Sequence, residues 1–341
     1  MTTDSDTPTT RSRHTGRWIL IGIAVILAIT VLAFTFSPTP GALVVRAVFE
    51  RDAHEATVKL DEGAPATDLT RDLQYREGDA DAYLDVYTPT GNTDTLPTIV
   101  WTHGGAWLAG NRTNYDGYYR RLADAGFTVV SVGYSLAPGH RYPTAVHQLN
   151  DAHAYLLAHA DELHIDPDRI VLAGDSAGAQ LSAQLATGIT DPGYATTLAL
   201  EPALKPQQLR GVVLNCGIYN VPAMEGGHGL IGWGVQQALW AYTGARDFGS
   251  SEAARQMSAL FAVTAEFPPT FVTGGNADPL TATQSRPLAD KLTRLGVEVD
   301  ALFYPDDHTP ELSHEYQFDL STQDARTALD RTISFVGSVT G

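Results

Sequence analysis

The segment Gly174-Asp175-Ser176-Ala177-Gly178 holds a serine with a glycine two residues away on each side. The apolar run Ile170-Val171-Leu172-Ala173 leads into it, and residues 177–187 have helical character. A strand, a turn too tight for side chains and a helix, in that order, lift a serine hydroxyl to the top of a sheet, where it can act as a nucleophile. The helix N-terminus behind it offers backbone N–H groups and partial positive charge to negative charge that develops there. A second glycine turn, His103-Gly104-Gly105-Ala106-Trp107, follows the apolar run Pro97-Thr98-Ile99-Val100-Trp101-Thr102. Lacking side chains, Gly104 and Gly105 let backbone N–H groups approach an acyl oxygen closely. With Ala177, which follows the serine, they are the expected oxyanion-hole donors. His103 is expected to brace this turn rather than to carry protons.

A serine nucleophile needs a base, and the base needs a partner that fixes its tautomer. Asp278, in Gly274-Gly275-Asn276-Ala277-Asp278-Pro279-Leu280, follows the apolar run Thr270-Phe271-Val272-Thr273 and lies between the serine and the candidate histidines. Serine, then acid, then histidine is the chain order this chemistry takes on a parallel sheet. The structural alternative for Asp278 is an N-cap in front of Pro279. Two histidines follow the last apolar run, His308 and His314. Proximity to the strand favours His308. The local pattern Leu312-Ser313-His314-Glu315-Tyr316-Gln317-Phe318 favours His314, and Pro310 makes residues 306–311 look like a surface excursion.

The elements that must hold these residues alternate in type. Short apolar runs at 83–87, 97–102, 127–132, 169–173, 211–216, 270–273 and 297–304 read as strands. Helical stretches at 114–125, 142–163, 177–187, 284–295 and 323–336 lie between or after them. Apolar strands alternating with helices indicate a parallel sheet covered on both faces, with ligands gathered at the carboxyl ends of its strands. Residues 219–268 break this rhythm with five glycines between 226 and 234 and with Trp233, Trp240 and Tyr242. They read as a cap insertion whose aromatics line an acyl pocket. A crossover helix with plain loops is the simpler alternative.

The chain has 341 residues, enough for one large α/β domain. A net charge of −17 repels phosphate backbones and argues against nucleic acid as a partner. Cys216 is the one cysteine, so an internal disulfide and a cysteine-rich metal site are excluded, and its apolar surroundings make it a buried strand residue. Residues 18–36 carry no charge and are long enough to cross a bilayer core. Arg11, Arg13 and Arg17 precede them, which places the N-terminus inside and the remainder outside the cytoplasmic membrane. A cleaved signal peptide followed by secretion is the rival reading, but no small-x-small cleavage site follows. The expected organisation is a cytoplasmic tail (1–17, disordered over 1–10), a transmembrane helix (18–36), a connector (37–79) with a short helix at 42–50, and a catalytic domain (80–338).

At these motifs the chain resembles the α/β-hydrolase superfamily. More narrowly, it looks like the carboxylesterases related to hormone-sensitive lipase and the bacterial feruloyl-esterase-like group. The segments that carry the likeness are 103–110, Tyr134-Ser135-Leu136-Ala137-Pro138 with Tyr142-Pro143, 174–178, 275–280 and 314–318. Ala106 departs from the third glycine of many relatives, and the stretch from Pro305 to His314 is longer than their usual loop. The resemblance implies a mostly parallel eight-stranded sheet flanked by helices, a cap over the active site, and ester hydrolysis without a cofactor. It carries nucleophile, acid and base onto Ser176, Asp278 and His314. The expected substrate is a small-molecule or lipid ester. A peptidase of the same fold usually needs a large extra domain for which this chain has no room. A non-catalytic binding module does not account for the intact serine, aspartate, histidine and glycine set. Neither the acyl and alcohol groups nor the oligomeric state follows from the sequence.

Overall fold

The computed structural model describes residues 11–341, with side chains from residue 16 onward; the tail expected to be disordered, 1–10, lies outside them. Two helices come first, α1 (Arg11–Phe36) and α2 (Thr39–Asp61), with Pro38 and Pro40 at their junction. Then follow β1 (Thr67–Gln74), β2 (Tyr83–Pro89), β3 (Leu96–Thr102), α3 (Asp116–Asp124), β4 (Thr128–Val132), α4 (Thr144–Ala158), β5 (Ile165–Asp175), α5 (Ala177–Thr190), α6 (Pro192–Thr197) and β6 (Leu209–Asn215). Beyond them lie α7 (Gly229–Thr243), α8 (Glu252–Gln256), α9 (Ala259–Ala262), β7 (Thr270–Gly274), α10 (Arg286–Arg294), β8 (Val299–Phe303) and α11 (Gln323–Thr340).

The strands form one eight-stranded sheet in the order β1-β2-β4-β3-β5-β6-β7-β8. β1 and β2 run antiparallel to their neighbours, and every pairing from β4 to β8 is parallel. Alternation along each strand sends side chains to opposite faces. Ile99 and Trp101 of β3 join an apolar layer with Tyr118 and Leu122 of α3 and Leu329 and Phe335 of α11. Val100 joins the opposite layer, with Leu149 of α4, Leu181 of α5 and Leu288 of α10. With both faces covered, β4 and β7 are wholly buried and β3 is buried from Thr98 onward, so these strands read as largely apolar runs. From β3 the chain crosses to β4 on one side, then returns past β3 to β5, so strand order reverses there. That reversal opens a crevice at the strand carboxyl ends, where both glycine turns sit.

The segment expected to be a connector is structured. α2 runs to Asp61 rather than ending near residue 50, and β1 is the first strand of the sheet. β1 reads Thr-Asp-Leu-Thr-Arg-Asp-Leu-Gln and is mostly exposed. An edge strand pairs on one side only, so its sequence lacks the apolar pattern that betrays a central strand. α11 also continues past the expected domain end, to Thr340. Within the insertion, Trp240 and Tyr242 are buried, whereas Trp233 is 37% exposed. Gly16–Phe36 forms 21 residues of apolar helix with a mean hydropathy of 2.9, none of it buried in the protein. That is one helix long and apolar enough to cross a membrane.

Candidate active site

Ser176 sits between β5 and α5 with φ 50° and ψ −116°, outside the usual regions for a residue bearing a side chain. Such a conformation costs about 1–3 kcal/mol and persists only where its surroundings enforce it. Here they do. A Cβ on Gly178 would lie 1.9 Å from the Thr102 carbonyl oxygen, and one on Gly174 2.7 Å from the same atom. Only glycine lets the first turn of α5 press this closely on β3. The Ser176 amide donates to the Asn215 carbonyl at 2.8 Å, which ties the turn to β6.

Asp278 follows β7 and is 2% exposed. Its Oδ1 accepts from the Leu280 amide at 2.9 Å, and its Oδ2 faces His314 Nδ1 at 2.8 Å. His314 Nε2 lies 3.0 Å from Ser176 Oγ. Three residues from three loops, 138 positions apart at the widest step, thus form one hydrogen-bonded row. The acid and base loops are laced together. Ala277 donates to the Leu312 carbonyl at 3.0 Å, Leu312 donates to Asn276 Oδ1 at 2.8 Å, and Asn276 Nδ2 donates to the His308 carbonyl at 3.1 Å. His308 itself faces away, its Nε2 3.0 Å from Asp324 Oδ2 of α11 and its ring against Tyr304. Sequence proximity misleads because this lacing leaves residues 305–311 at the surface, buries Leu312 and brings His314 in.

Burial opposes charge on the His314 ring, yet Cys216 and the hydrogen-bonded Asp278 outweigh it and hold the imidazole well above its ordinary pKa. Burial pushes the Cys216 thiol up, and of the two neighbours Asp278 is the one whose carboxylate hydrogen-bonds His314 Nδ1, at 2.8 Å. Cys216, Asp278 and His314 present potential metal-ligand atoms within 4.8 Å of one another. Both ring nitrogens of His314 are already engaged, Nδ1 with Asp278 at 2.8 Å and Nε2 with Ser176 at 3.0 Å.

The three expected oxyanion donors do not behave alike. The Gly104 amide donates to Asp175 Oδ2 at 2.8 Å and is spent on holding the loop. Asp175 Oδ1 accepts from Trp101 Nε1 at 2.8 Å, so one buried carboxylate anchors the glycine turn to β3. This corrects the expectation for Gly104. The amides of Gly105 and Ala177 have no hydrogen-bond partner among the described residues. Gly105 has φ +104°, and a Cβ there would meet the Ala109 carbonyl oxygen at 2.2 Å. His103 is buried, its pKa pushed down to about 4 by that burial. Its Nδ1 lies 2.8 Å from the Gly104 carbonyl and its ring stacks on Tyr134, so it braces the turn.

A cavity of about 360 Å³ reaches His314, Gly104 and Gly105. Its outer wall is α2, through Phe49, Asp52 and Glu55. The cap therefore includes residues expected only to connect. Glu315, to which the sequence reading gave no role, lines the same cavity. Its Oε1 lies 3.8 Å from His314 Nε2, and its Oε2 accepts from Tyr115 Oη at 3.2 Å. Its place directly after the candidate base was the available signal. A second, apolar cavity of about 470 Å³ lies between α2 and α7 beside Ala106. Of the three aromatics expected in an acyl pocket, Trp233 lines this cavity. Tyr242 instead stacks on Trp107 in the core, and Trp240 turns toward α1 and Arg246.

Carboxylesterase NlhH of Mycobacterium tuberculosis is 39% identical to this chain over 134 residues, which cover 36% of this chain and 42% of that relative. The match thus spans less than half the length of that curated relative. Among solved structures, an esterase of Pyrobaculum calidifontis superposes with a TM-score of 0.71 at 25% identity, covering 90% of this chain and 96% of its own. Esterase B of Lactobacillus rhamnosis superposes with a TM-score of 0.75 at 20% identity, covering 89% and 96%, a likeness of fold alone. These are proteins of the α/β-hydrolase fold, with the sheet described above. The BD-FAE family model matches residues 84–292, which run from β2 to α10 and take in both glycine turns and Asp278. By fold and by this match over more than half its length, the chain belongs to the BD-FAE family of α/β-hydrolases.

Proposed function

We propose that the protein is a serine carboxylic-ester hydrolase, with Ser176 as nucleophile, His314 as base and Asp278 as its orienting acid. The observation that carries the reading is the row Ser176 Oγ–His314 Nε2 at 3.0 Å and His314 Nδ1–Asp278 Oδ2 at 2.8 Å. Ser176 Oγ attacks the ester carbonyl while its proton passes to His314 Nε2. The proton on Nδ1 stays hydrogen-bonded to Asp278, which stabilises the imidazolium. The carbonyl oxygen gains charge beside the amides of Gly105 and Ala177, at the N-terminus of α5; one such donor contributes roughly 10²–10³ in rate. His314 then returns its proton to the alcohol as it leaves. Water, deprotonated by the same nitrogen, attacks the acyl carbon; the bond to Ser176 Oγ breaks, Oγ takes the proton back from Nε2, and the acid is freed. Esters are the substrate class, small-molecule or lipid.

We also infer that α1 spans the cytoplasmic membrane and that the catalytic domain lies outside it. The apolar length of the helix and the arginines before it support this.

Ser176→Ala tests the chemistry. The variant should keep wild-type circular dichroism and lose p-nitrophenyl ester hydrolysis to background, and a fluorophosphonate probe should label wild type alone. Retained activity in the folded variant would refute the assignment. A panel of p-nitrophenyl esters of graded length then ranks acyl preference. Fractionation tests the anchor: full-length protein belongs in the membrane pellet, open to external protease in spheroplasts. A shortened soluble form in the medium would show a cleaved signal instead.

A further inference from the structure

α7 faces the end of the apolar helix α1 across a cleft, and α2 packs on both. Thr30, Val31, Phe34 and Thr35 of α1 face Trp233 and Trp240 of α7 across a shared cleft. Arg246, just beyond α7, donates to the Thr35 carbonyl at 3.2 Å. The 21 residues of Gly16–Phe36 rise about 31 Å, which matches a hydrocarbon core of roughly 30 Å with no length to spare. The last six residues of α1, about 9 Å of helix, therefore occupy the outer part of that core. An element that faces them across a cleft, and is tied to the helix end through Arg246, lies in the same layer.

The exposed side chains of the neighbouring surface fit that position. Leu230 is 86% and Ile231 77% exposed at the start of α7. Leu43, Val44 and Val48 of α2 are each about half exposed. α2 changes character along its axis. Its half nearest α1 exposes aliphatics, and its far half carries Glu50, Arg51, Asp52 and Glu55. The one charge in the apolar half, Arg46, turns inward and donates to the Leu108 and Ala137 carbonyls at 2.5 and 2.7 Å. Trp233 and Trp240 stand where interfacial tryptophans collect, and Arg246 reaches over the Trp240 ring toward the helix end.

We propose that the apolar ends of α2 and α7 are immersed in the outer leaflet of the bilayer that α1 spans, so that the apolar cavity between them opens to lipid rather than to water. Its occupant is the hydrocarbon of the leaflet, and an apolar ester enters the cavity sideways from it. This rests on the reading of α1 as a span, and only the route of substrate entry rests on the esterase reading.

The test uses the full chain in phosphatidylcholine–phosphatidylglycerol proteoliposomes. Cys216 is buried, so a nitroxide can be placed selectively on Ile231→Cys or Val48→Cys, with Ser321→Cys as an exposed control. Power saturation should show both test labels roughly 5–10 Å below the phosphates, open to oxygen and shielded from a water-soluble nickel chelate. The control should show the reverse. Ile231→Asp should lose at least tenfold more activity on a long-chain ester embedded in the vesicles than on p-nitrophenyl acetate. Labels at 231 and 48 as open to nickel as the control, in protein that floats with the vesicles, would overturn the immersion while leaving the span intact. Failure to float would overturn both. Spin–spin broadening between two labelled copies would assign the face to a second copy of this chain and refute the lipid contact. The label positions are read without catalysis, so loss of the esterase reading does not touch them.

Discussion

Asp278→Asn separates geometry from charge at the candidate site. Asp278 Oδ1 accepts from the Leu280 amide at 2.9 Å, and Oδ2 faces His314 Nδ1 at 2.8 Å. In the variant the amide oxygen keeps the Leu280 hydrogen bond, because the amide nitrogen cannot accept one. The new NH₂ group then faces His314 Nδ1 and obliges that nitrogen to accept. The ring proton moves to Nε2, which points at Ser176 Oγ from 3.0 Å and can no longer take its proton. The expected loss is about 10⁴ in kcat, or about 5.4 kcal/mol at 1.36 kcal/mol per tenfold. Stability should change little, by about 1 kcal/mol, because every hydrogen bond keeps a partner. Asp278 also helps hold His314 well above its ordinary pKa. Catalysis needs the neutral ring, so wild-type kcat/KM should rise with pH through a value above the ordinary histidine figure of about 6.5 and fall away below it. Removing the carboxylate should move that limb to lower pH. The assay is kcat/KM for p-nitrophenyl acetate from pH 5 to 9, with a melting curve for each protein. A folded variant within tenfold of wild type, or a pH limb that stays in place, would refute the role of Asp278.

His314→Ala should lose several orders of magnitude in kcat, whereas His308→Ala, which breaks a contact with Asp324 at 3.0 Å, should lose about tenfold or less; equal losses in steady-state assays would undo the distinction. Tyr242→Ala empties a fully buried site stacked on Trp107 and should cost about 3–5 kcal/mol, seen as a lowered melting temperature with little change in chain-length preference. Trp233→Ala, at the wall of the apolar cavity, should do the opposite, shifting preference among p-nitrophenyl esters with little change in melting temperature.

The serine turn was legible because its constraint is local. Two glycines at fixed offsets, a buried strand before and a helix after leave one conformation, and the 1.9 Å that would separate a Cβ on Gly178 from the Thr102 carbonyl oxygen is its physical content. The central strands were legible because burial on both faces demands unbroken apolar runs, and α1 because a span needs length without charge. β1 was not, since an edge strand open on one side can be polar and still pair. Nor was the extent of α2, whose charged half resembles any solvated segment until its packing over the cavity is seen. The contest between His308 and His314 turned on Asn276, whose side chain bonds the base loop at Leu312 and His308 across more than thirty residues. The sequence offered three oxyanion donors, and tertiary packing removed one, because Asp175 Oδ2 lies 2.8 Å from the Gly104 amide. Composition and pattern register what one segment needs for itself. Which loop reaches which, and which N–H is left free, depends on distances between segments far apart in the chain, and only the folded sheet fixes those.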